Sequence, residues 1–371
     1  MGWVIKMIKK LLCFILVLSS LCACSGKKQE MFSESFMGPF DTIFQVIAYE
    51  ESRSMYDDNF KFIQDEFTRL HQLYDKYNDY EGINNIKTIN DNAGIKPVVV
   101  DPDLYYMIDT ALYYQQQIGN KVNIALGPVL NIWHNYRELD NGTIPTLSEL
   151  QEANQYTDVS KIILDQDNMT VYVSDSNMSI DVGAVAKGYA CEVVKQKLIQ
   201  KGLDDFLISA GGNVVSYGKR PQKKEKNSLS EHLPSSLEYY TVDIATPASG
   251  AFANVPKIAA LTLQNGESVV TSGDYQRYFV GSDGKMYHHL IDPDTLFPGE
   301  YCRSLTVFTE NSGLADFLSS TLFLMSPEDG IQLINSINVE VEAIWLLNDG
   351  RIVHTDGLVE GDNIYVYAKA S

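Results

Sequence analysis

The sequence predicts an α+β fold on three observations. Stretches with helical apolar spacing are interleaved with short β-branched runs, the interleaving has no regular strand–helix–strand period, and no internal repeat is present. A chain of 371 residues is long enough for a sizeable core or two subdomains.

Taken in order, residues 42–49 (TIFQVIAY) read as the first strand of the folded unit. Residues 58–74 carry Phe60, Ile63, Phe67, Leu70 and Tyr74 at helical spacing, with Phe62 and Leu73 widening the apolar face. Asp101-Pro102 opens a second helix that Gly119 closes. Thr146-x-x-Glu149 is a capping box for a third, running to Asn154. Residues 161–164 and 169–173 form a strand pair about a turn at 165–168. Residues 179–182 read as a strand, 184–201 as a helix stopped by Gly202, and 206–209 and 214–217 as strands about Gly211-Gly212. Residues 219–238, rich in Lys, Ser and Pro, read as an exposed loop. Strands at 240–244, 259–263, 304–308, 341–347 and 352–355 then accompany one strongly apolar helix at 313–325.

The N-terminus reads as an address. Lys6, Lys9 and Lys10 precede the apolar run 11–18, which suits a signal peptide and is too short to span a membrane. Leu21-Cys22-Ala23-Cys24, with Ser25-Gly26 following, resembles the bacterial lipobox, in which the last Cys is acylated and becomes residue one. Residues 1–23 are therefore expected as a lipoprotein signal peptide, Cys24 as the lipid attachment site, 24–36 as a polar tether and 37–371 as the folded domain. The expected location is the extracytoplasmic face of the cell membrane, because each buried acyl CH₂ contributes about 0.8 kcal/mol of anchoring. An ordinary secretory signal or an uncleaved anchor is the alternative.

Charge narrows the partners. The formal net charge is −19, and removing residues 1–23 takes away three Lys and no acid, giving −22. Nucleic-acid phosphates would be repelled, and any anionic substrate needs a metal ion or converging amides. Besides Cys24, only Cys191 and Cys302 remain beyond the signal, which is neither a disulfide framework nor a zinc pattern.

Three segments could carry chemistry. In Ser179-Ile-Asp-Val-Gly-Ala-Val-Ala-Lys-Gly-Tyr189 a glycine turns the chain into a helix whose first amides favour an anion. Lys187 adds charge there and Asp181 can accept hydrogen bonds, although a plain corner capped by Asp181 fits as well. In Thr271-Ser-Gly-Asp-Tyr-Gln-Arg-Tyr278 and His288-His289-Leu-Ile-Asp292-Pro293, a His near a carboxylate suits a general base. Adjacent strand residues point to opposite faces, so a metal pair is less natural there than one exposed and one satisfied His. In the apolar helix, Asp316 needs a partner, and Ser320 lies one turn on along the same face. The two are hard oxygen ligands of the kind Mg²⁺ uses, with a local cap or back-bonded hydroxyl as the alternative.

Collinear with these are Met37-Gly38, Leu73-Tyr-Asp-Lys-Tyr77, Gly127-Pro-Val-Leu-Asn-Ile-Trp133, Ser209-Ala-Gly-Gly-Asn213 and Leu314-Ala-Asp316. Over about residues 36–345 the chain resembles the FAD:protein FMN transferase (ApbE) family. The resemblance implies an enzyme that uses FAD and Mg²⁺ and moves FMN onto a Thr or Ser hydroxyl of an acceptor protein, releasing AMP. By family position Met37, Tyr77, Lys121, Val122, Asn123, Asp181, Lys187 and His289 would line the FAD site, and Ala184 (through its carbonyl), Asp316 and Ser320 would hold Mg²⁺. His289, with Asp292, is the implied catalytic pair. Acceptors are implied to be exported or membrane flavoproteins carrying an Asp-x-x-Ser-Gly-Ala-Thr-like motif.

The departures are specific. Val122-Asn-Ile-Ala125 stands where many members have Phe-Asp-Pro-Thr, Asp292-Pro-Asp-Thr-Leu296 has Leu in place of the usual glycine, and Ser320 replaces a common Thr. Thr246-Pro-Ala-Ser-Gly-Ala-Phe252 resembles the acceptor motif but ends in Phe252, so self-modification there is not expected. Two other classes fit the same residues: an FAD pyrophosphatase that uses water, and a flavin-binding lipoprotein without chemistry.

Overall fold

The computed structural model describes residues 29–139, 141–219, 240–245, 257–263, 266–275, 277–360 and 365–367. An eight-stranded antiparallel sheet organises them, its strands lying side by side in chain order. They are Glu30–Met37, Ile43–Glu50, Phe206–Ala210, Asn213–Tyr217, Ser268–Gly273, Cys302–Thr309, Glu342–Leu347 and Ile352–His354.

The period of two sorts the side chains of this sheet into two cores. Phe44, Val46, Ala48, Phe206, Ile208 and Ala210 face one way, and Tyr49, Leu207 and Val214 the other. On the first face sit the helices Arg53–Tyr74 and Ala186–Gln200, through Ile63, Phe67, Leu70, Val194 and Leu198. Further along, the helix Ser312–Phe323 packs Leu318 and Leu322 against Leu305, Val307 and Trp345. The second face is covered by a smaller sheet, Leu358–Glu360, Tyr365–Tyr367, Lys257–Leu263 and Tyr240–Ala245. Its Ile244, Leu261 and Leu263 share a core with Phe308, Ile344 and Leu346. Each such side chain removed from water contributes roughly 1.5–3 kcal/mol. The α+β class holds, as three layers of helices, sheet and sheet.

Most helix ends fall where their caps predict. Asp101 accepts from the Asp103 amide to start Pro102–Ile118, and Thr146 forms its reciprocal box with Glu149. Cys191 and Cys302 are both buried free thiols.

Two expectations are corrected. The tether at 24–36 is too long, because Glu30–Met37 is an edge strand, paired from Glu30 opposite Glu50 to Met37 opposite Ile43. Only Phe32, Glu34 and Phe36 turn inward, Phe36 stacking on Phe44 at 4.7 Å, so the strand reads as polar. Residues 179–182 are not a strand. Asn90 takes the place of a neighbouring strand: its side chain accepts from the Ile180 amide at 2.7 Å and donates to the Ile180 carbonyl at 2.9 Å. The helices Gly127–Glu138 and Pro327–Ser336 and the strand Ser268–Gly273 are additions to the elements read from sequence. The signal peptide, Cys24, residues 220–238 of the expected loop and the Thr246–Phe252 stretch lie outside the described residues.

Candidate active site

A cleft of about 630 Å³ opens where the first hairpin, the Arg53–Tyr74 helix end, the turn before Ala186–Gln200 and the Ser312–Phe323 helix meet. Tyr77, Lys121, Val122, Asn123, Asp181, Ala184, Lys187, His289, Asp316 and Ser320 all line it. Met37 does not. It is 74% exposed at the end of its strand, and Phe40, Asp41 and Thr42 reach the cleft instead.

The floor is a helix crossing. Asp316 is 7% exposed within a helix whose every residue is buried, and its Oδ2 accepts from the Gly188 amide at 2.6 Å. Gly188 is required there, since a Cβ would lie 2.3 Å from Asp316 Cβ and 2.4 Å from the Ser312 carbonyl oxygen. Burial raises the Asp316 carboxyl, opposed by Lys187, the Gly188 amide and the nearby Asn213 side chain. Asn213 is buried with both amide atoms outside hydrogen-bonding geometry. Ser320, 4% exposed, makes no hydrogen bond to another described residue. Those bonds belong to Ser319, which donates to the Asp316 carbonyl and pairs with Ser272. Ala184 sits in the turn that closes at Val182, before the helix begins.

A costly buried carboxylate, an uncommitted hydroxyl and a turn carbonyl lining one cleft fit a hard divalent cation whose remaining ligands come from phosphate and water. Among the described residues no three His, Cys, Asp or Glu side chains cluster, as expected where one carboxylate serves.

The two histidines differ because the strand Met286–His288 ends at the first of them and His289 lies in the bend beyond it. His288 is locked inward, its Nε2 donating to the Gly299 carbonyl at 2.8 Å and its Nδ1 accepting from the Leu290 amide. His289 reaches the cleft, anchored by its own amide donating to the Arg277 carbonyl at 3.1 Å. Its Nδ1 is buried without a partner. Burial first, then His288 and Arg277, push its pKa down to about 3.

Asp292 is corrected as a catalytic partner of His289. It is 5% exposed, both its carboxylate oxygens lie 2.9 Å from Lys121 Nζ, and it does not line the cleft. A carboxylate committed to an ammonium and a turn amide orients Lys121 and the 292–297 turn, rather than His289. Asn123 is likewise spent on its own turn, bonding the Thr157 carbonyl and the Ala125 amide. Val122 is core.

Sequence reasoning missed Lys76. Its Nζ lies 2.6 Å from Asp181 Oδ2 and 2.8 Å from Asn131 Oδ1, while Asp181 Oδ1 accepts from the Gly183 amide at 2.9 Å. Trp133, His134 and Arg137 also arrive on the unexpected Gly127–Glu138 helix. The Leu296 departure is absorbed by the backbone. Leu296 takes φ 65, is 4% exposed among Trp133, Tyr287 and Ile291, and its carbonyl accepts from Trp133 Nε1 at 2.9 Å.

The fold is shared with solved proteins. The ApbE protein of Thermotoga maritima superposes with a TM-score of 0.72 at 24% identity, covering 88% of this chain and 97% of that one. The flavin transferase ApbE of Vibrio cholerae gives 0.68 at 19% identity, covering 88% and 98%. Among sequence relatives, an FAD:protein FMN transferase of Treponema pallidum is 30% identical over 281 residues, 74% of each chain. One from Klebsiella pneumoniae is 28% identical over 291 residues, 77% of this chain and 83% of that one. With the ApbE family model matching residues 40–345, the cleft and the frame around it identify this chain as a member of the ApbE family.

Proposed function

We propose that this flavin transferase carries the FMN half of FAD to a Thr or Ser hydroxyl of an acceptor protein, with Mg²⁺ bound, and releases AMP. The reading rests on one observation: Asp316, Ser320, Ala184, Lys187 and His289 converge on a single cleft.

The acceptor oxygen attacks the FMN phosphorus and forms a P–O bond. The P–O bond to the bridging oxygen breaks, AMP leaves with that oxygen, and the hydroxyl proton passes to the His289 imidazole. Asp316, Ser320 and the Ala184 carbonyl would hold Mg²⁺, which when bound would neutralise phosphate oxygens. Burial lowers the His289 pKa and so favours the neutral imidazole that can accept a proton. An anionic pyrophosphate alongside raises its proton affinity from that depressed value. Lys187, whose Nζ donates to the Gly211 carbonyl at 3.1 Å, is held at the cleft wall with protons to spare for the leaving phosphate.

The lipobox-like Leu21–Cys24 places this chemistry, in our reading, at the outer face of the cytoplasmic membrane, held by lipid on Cys24. Acceptors would then be exported or membrane flavoproteins. The test is mass spectrometry of a purified acceptor carrying the Asp-x-x-Ser-Gly-Ala-Thr-like motif, incubated with FAD and Mg²⁺, alongside AMP release with and without acceptor. An FMN adduct with acceptor-dependent AMP supports transfer. AMP released equally fast without acceptor would show a pyrophosphatase, and FAD binding with no AMP a carrier.

A further inference from the structure

Lys76 belongs to a segment tied together by hydrogen bonds to Asp75. Asp75, which ends the Arg53–Tyr74 helix, accepts from the Tyr77 amide at 2.7 Å, the Asn78 side chain at 2.8 Å and the Tyr80 hydroxyl at 2.8 Å. The Lys76 side chain, 12% exposed, runs from this clamp into the cleft. Two of its three ammonium protons are committed, to Asp181 and Asn131, and its Nζ lies 5.0 Å from the centre of the Tyr77 ring.

The other cleft cations differ. Lys121 is enclosed by Asp292 and Asp294, and Lys187 lies on a carbonyl beside the buried Asp316. Lys76 alone forms a neutral pair with a residue expected to touch the ligand, and the pair presents one remaining N–H donor beside carboxylate lone pairs. Around it the lining is aromatic and apolar: Tyr77, Leu126, Leu130, Trp133 and His134. A neutral pair holds a phosphate weakly, because the carboxylate cancels the ammonium's attraction. Adjacent donor and acceptor on a flat apolar wall suit instead the uncharged edge of a nitrogen heterocycle, which carries its own acceptor beside a donor.

We propose that Lys76 and Asp181 together form a ring-edge reader, a specificity pair that binds the heterocycle edge of the dinucleotide, flavin or adenine, and not its phosphates. This rests on the FAD reading above and adds to it a residue and a chemical role. Leaving the Asp181 carboxylate unpaired by Lys76→Met should weaken FAD binding about tenfold or more. Removing both charges in Lys76→Met/Asp181→Asn should recover part of the loss, since no bare carboxylate then faces the ligand.

The test measures dissociation constants of FAD, FMN, ADP and inorganic pyrophosphate for the purified full chain and for both variants, by fluorescence quenching or calorimetry. A Lys76→Met loss shared by FAD and FMN but not ADP assigns the flavin edge, and one shared by FAD and ADP but not FMN assigns the adenine edge. In both cases pyrophosphate is unmoved. An equal loss for all four ligands makes Lys76 a phosphate ligand and overturns the proposal. So does unchanged FAD affinity in a parent that binds FAD, which leaves the transferase reading standing. A parent that binds no FAD defeats the transferase reading and this one with it. A purely structural ion pair would lower the melting temperature without sorting the ligands by class. Should Lys76→Met fail to fold, the double variant, free of the stranded charge, carries the same comparison.

Discussion

Gly188→Ala should destabilise this protein, although the same change inside a helix ordinarily gains about 1 kcal/mol. The new Cβ would meet Asp316 Cβ at 2.3 Å and the Ser312 carbonyl oxygen at 2.4 Å. Neither can swing aside, because one is bonded directly to helix backbone and the other is backbone. Ordinary carbon contacts begin near 3.5 Å, so the two helices must part by about 1 Å. Overpacking of that kind costs roughly 1–3 kcal/mol. Parting also breaks the bond from the Gly188 amide to Asp316, and leaving a buried acceptor short of its donor costs roughly 1–3 kcal/mol more. Set against the helix gain, the net loss is about 1–5 kcal/mol. With a urea slope of about 3 kcal/mol/M, the unfolding midpoint should fall by roughly 0.3–1.7 M at unchanged slope. A variant as stable as the parent would refute the crossing, and with it the placement of Asp316 on the cleft floor.

The remaining predictions concern the chemistry, the turn and the address. His289→Gln should cut FMN transfer by about 10²–10⁴-fold with FAD affinity kept within a fewfold, checked by adduct formation and by flavin quenching. Because His289 binds a proton near pH 3 in the fold but near 6.5 when unfolded, its cost to stability is absent above pH 6.5 and grows as pH falls toward 3. The melting temperature of His289→Gln should therefore fall less than the parent's between pH 7 and 4.5; parallel curves would contradict the burial described. Asp316→Asn should fold at least as well as the parent, yet lose both transfer and the rise in melting temperature that Mg²⁺ gives the parent; a Mg²⁺ response unchanged in the variant would move the metal elsewhere. Leu296→Gly relieves a left-handed backbone worth about 1–2 kcal/mol but deletes a buried side chain worth about 2–5 kcal/mol. A net loss in urea unfolding is expected, and a gain would mean that strain dominates the turn. Cys24→Ala should move the protein from the membrane to the soluble exported fraction, read by fractionation and immunoblot.

What could be read in the sequence follows from where side-chain pattern and backbone pattern coincide. The Ser312–Phe323 helix and the pairing of Asp316 with Ser320 were legible because helical spacing alone puts residues four apart on one face. The inward His288 and cleft-facing His289 did not follow from strand alternation, because Tyr287 and His288 are both buried and the strand ends before His289. The edge strand Glu30–Met37 was hidden because only one of its faces is buried, leaving its composition polar. Residues 179–182 misled for the opposite reason. They alternate polar and apolar as a strand would, but their hydrogen bonds go to the Asn90 side chain and the Ile124 carbonyl rather than to a strand. Lys76 and Asp181 are 105 positions apart, and no local period links them. Such a pair becomes visible only once the chain is folded.

That long-range pairing also answers the question the composition raised, how a chain of net charge −19 can receive a dinucleotide carrying two phosphates. Five cations line the cleft, Lys76, Lys121, Arg137, Lys187 and Arg277, against four carboxylates, Asp41, Asp75, Asp181 and Asp316. The lining thus gathers cations in a molecule that is strongly acidic, although Asp292 and Asp294 behind it offset Lys121. The balance is delicate. Asp75 is satisfied by amides and a tyrosine, Asp181 by Lys76, and Arg277 and Asp41 lie 3.9 Å apart at the rim. Asp316 has no formal cation in hydrogen-bond contact, and burial already disfavours its charge. On the proposed reading a divalent cation at Asp316 completes the attraction for phosphate, so FAD and Mg²⁺ should each tighten the other's binding. Titrating FAD with and without Mg²⁺ measures that coupling. Equal affinities in the two titrations would mean that Asp316 faces no metal, and that the cleft holds its phosphates by amides and lysines alone.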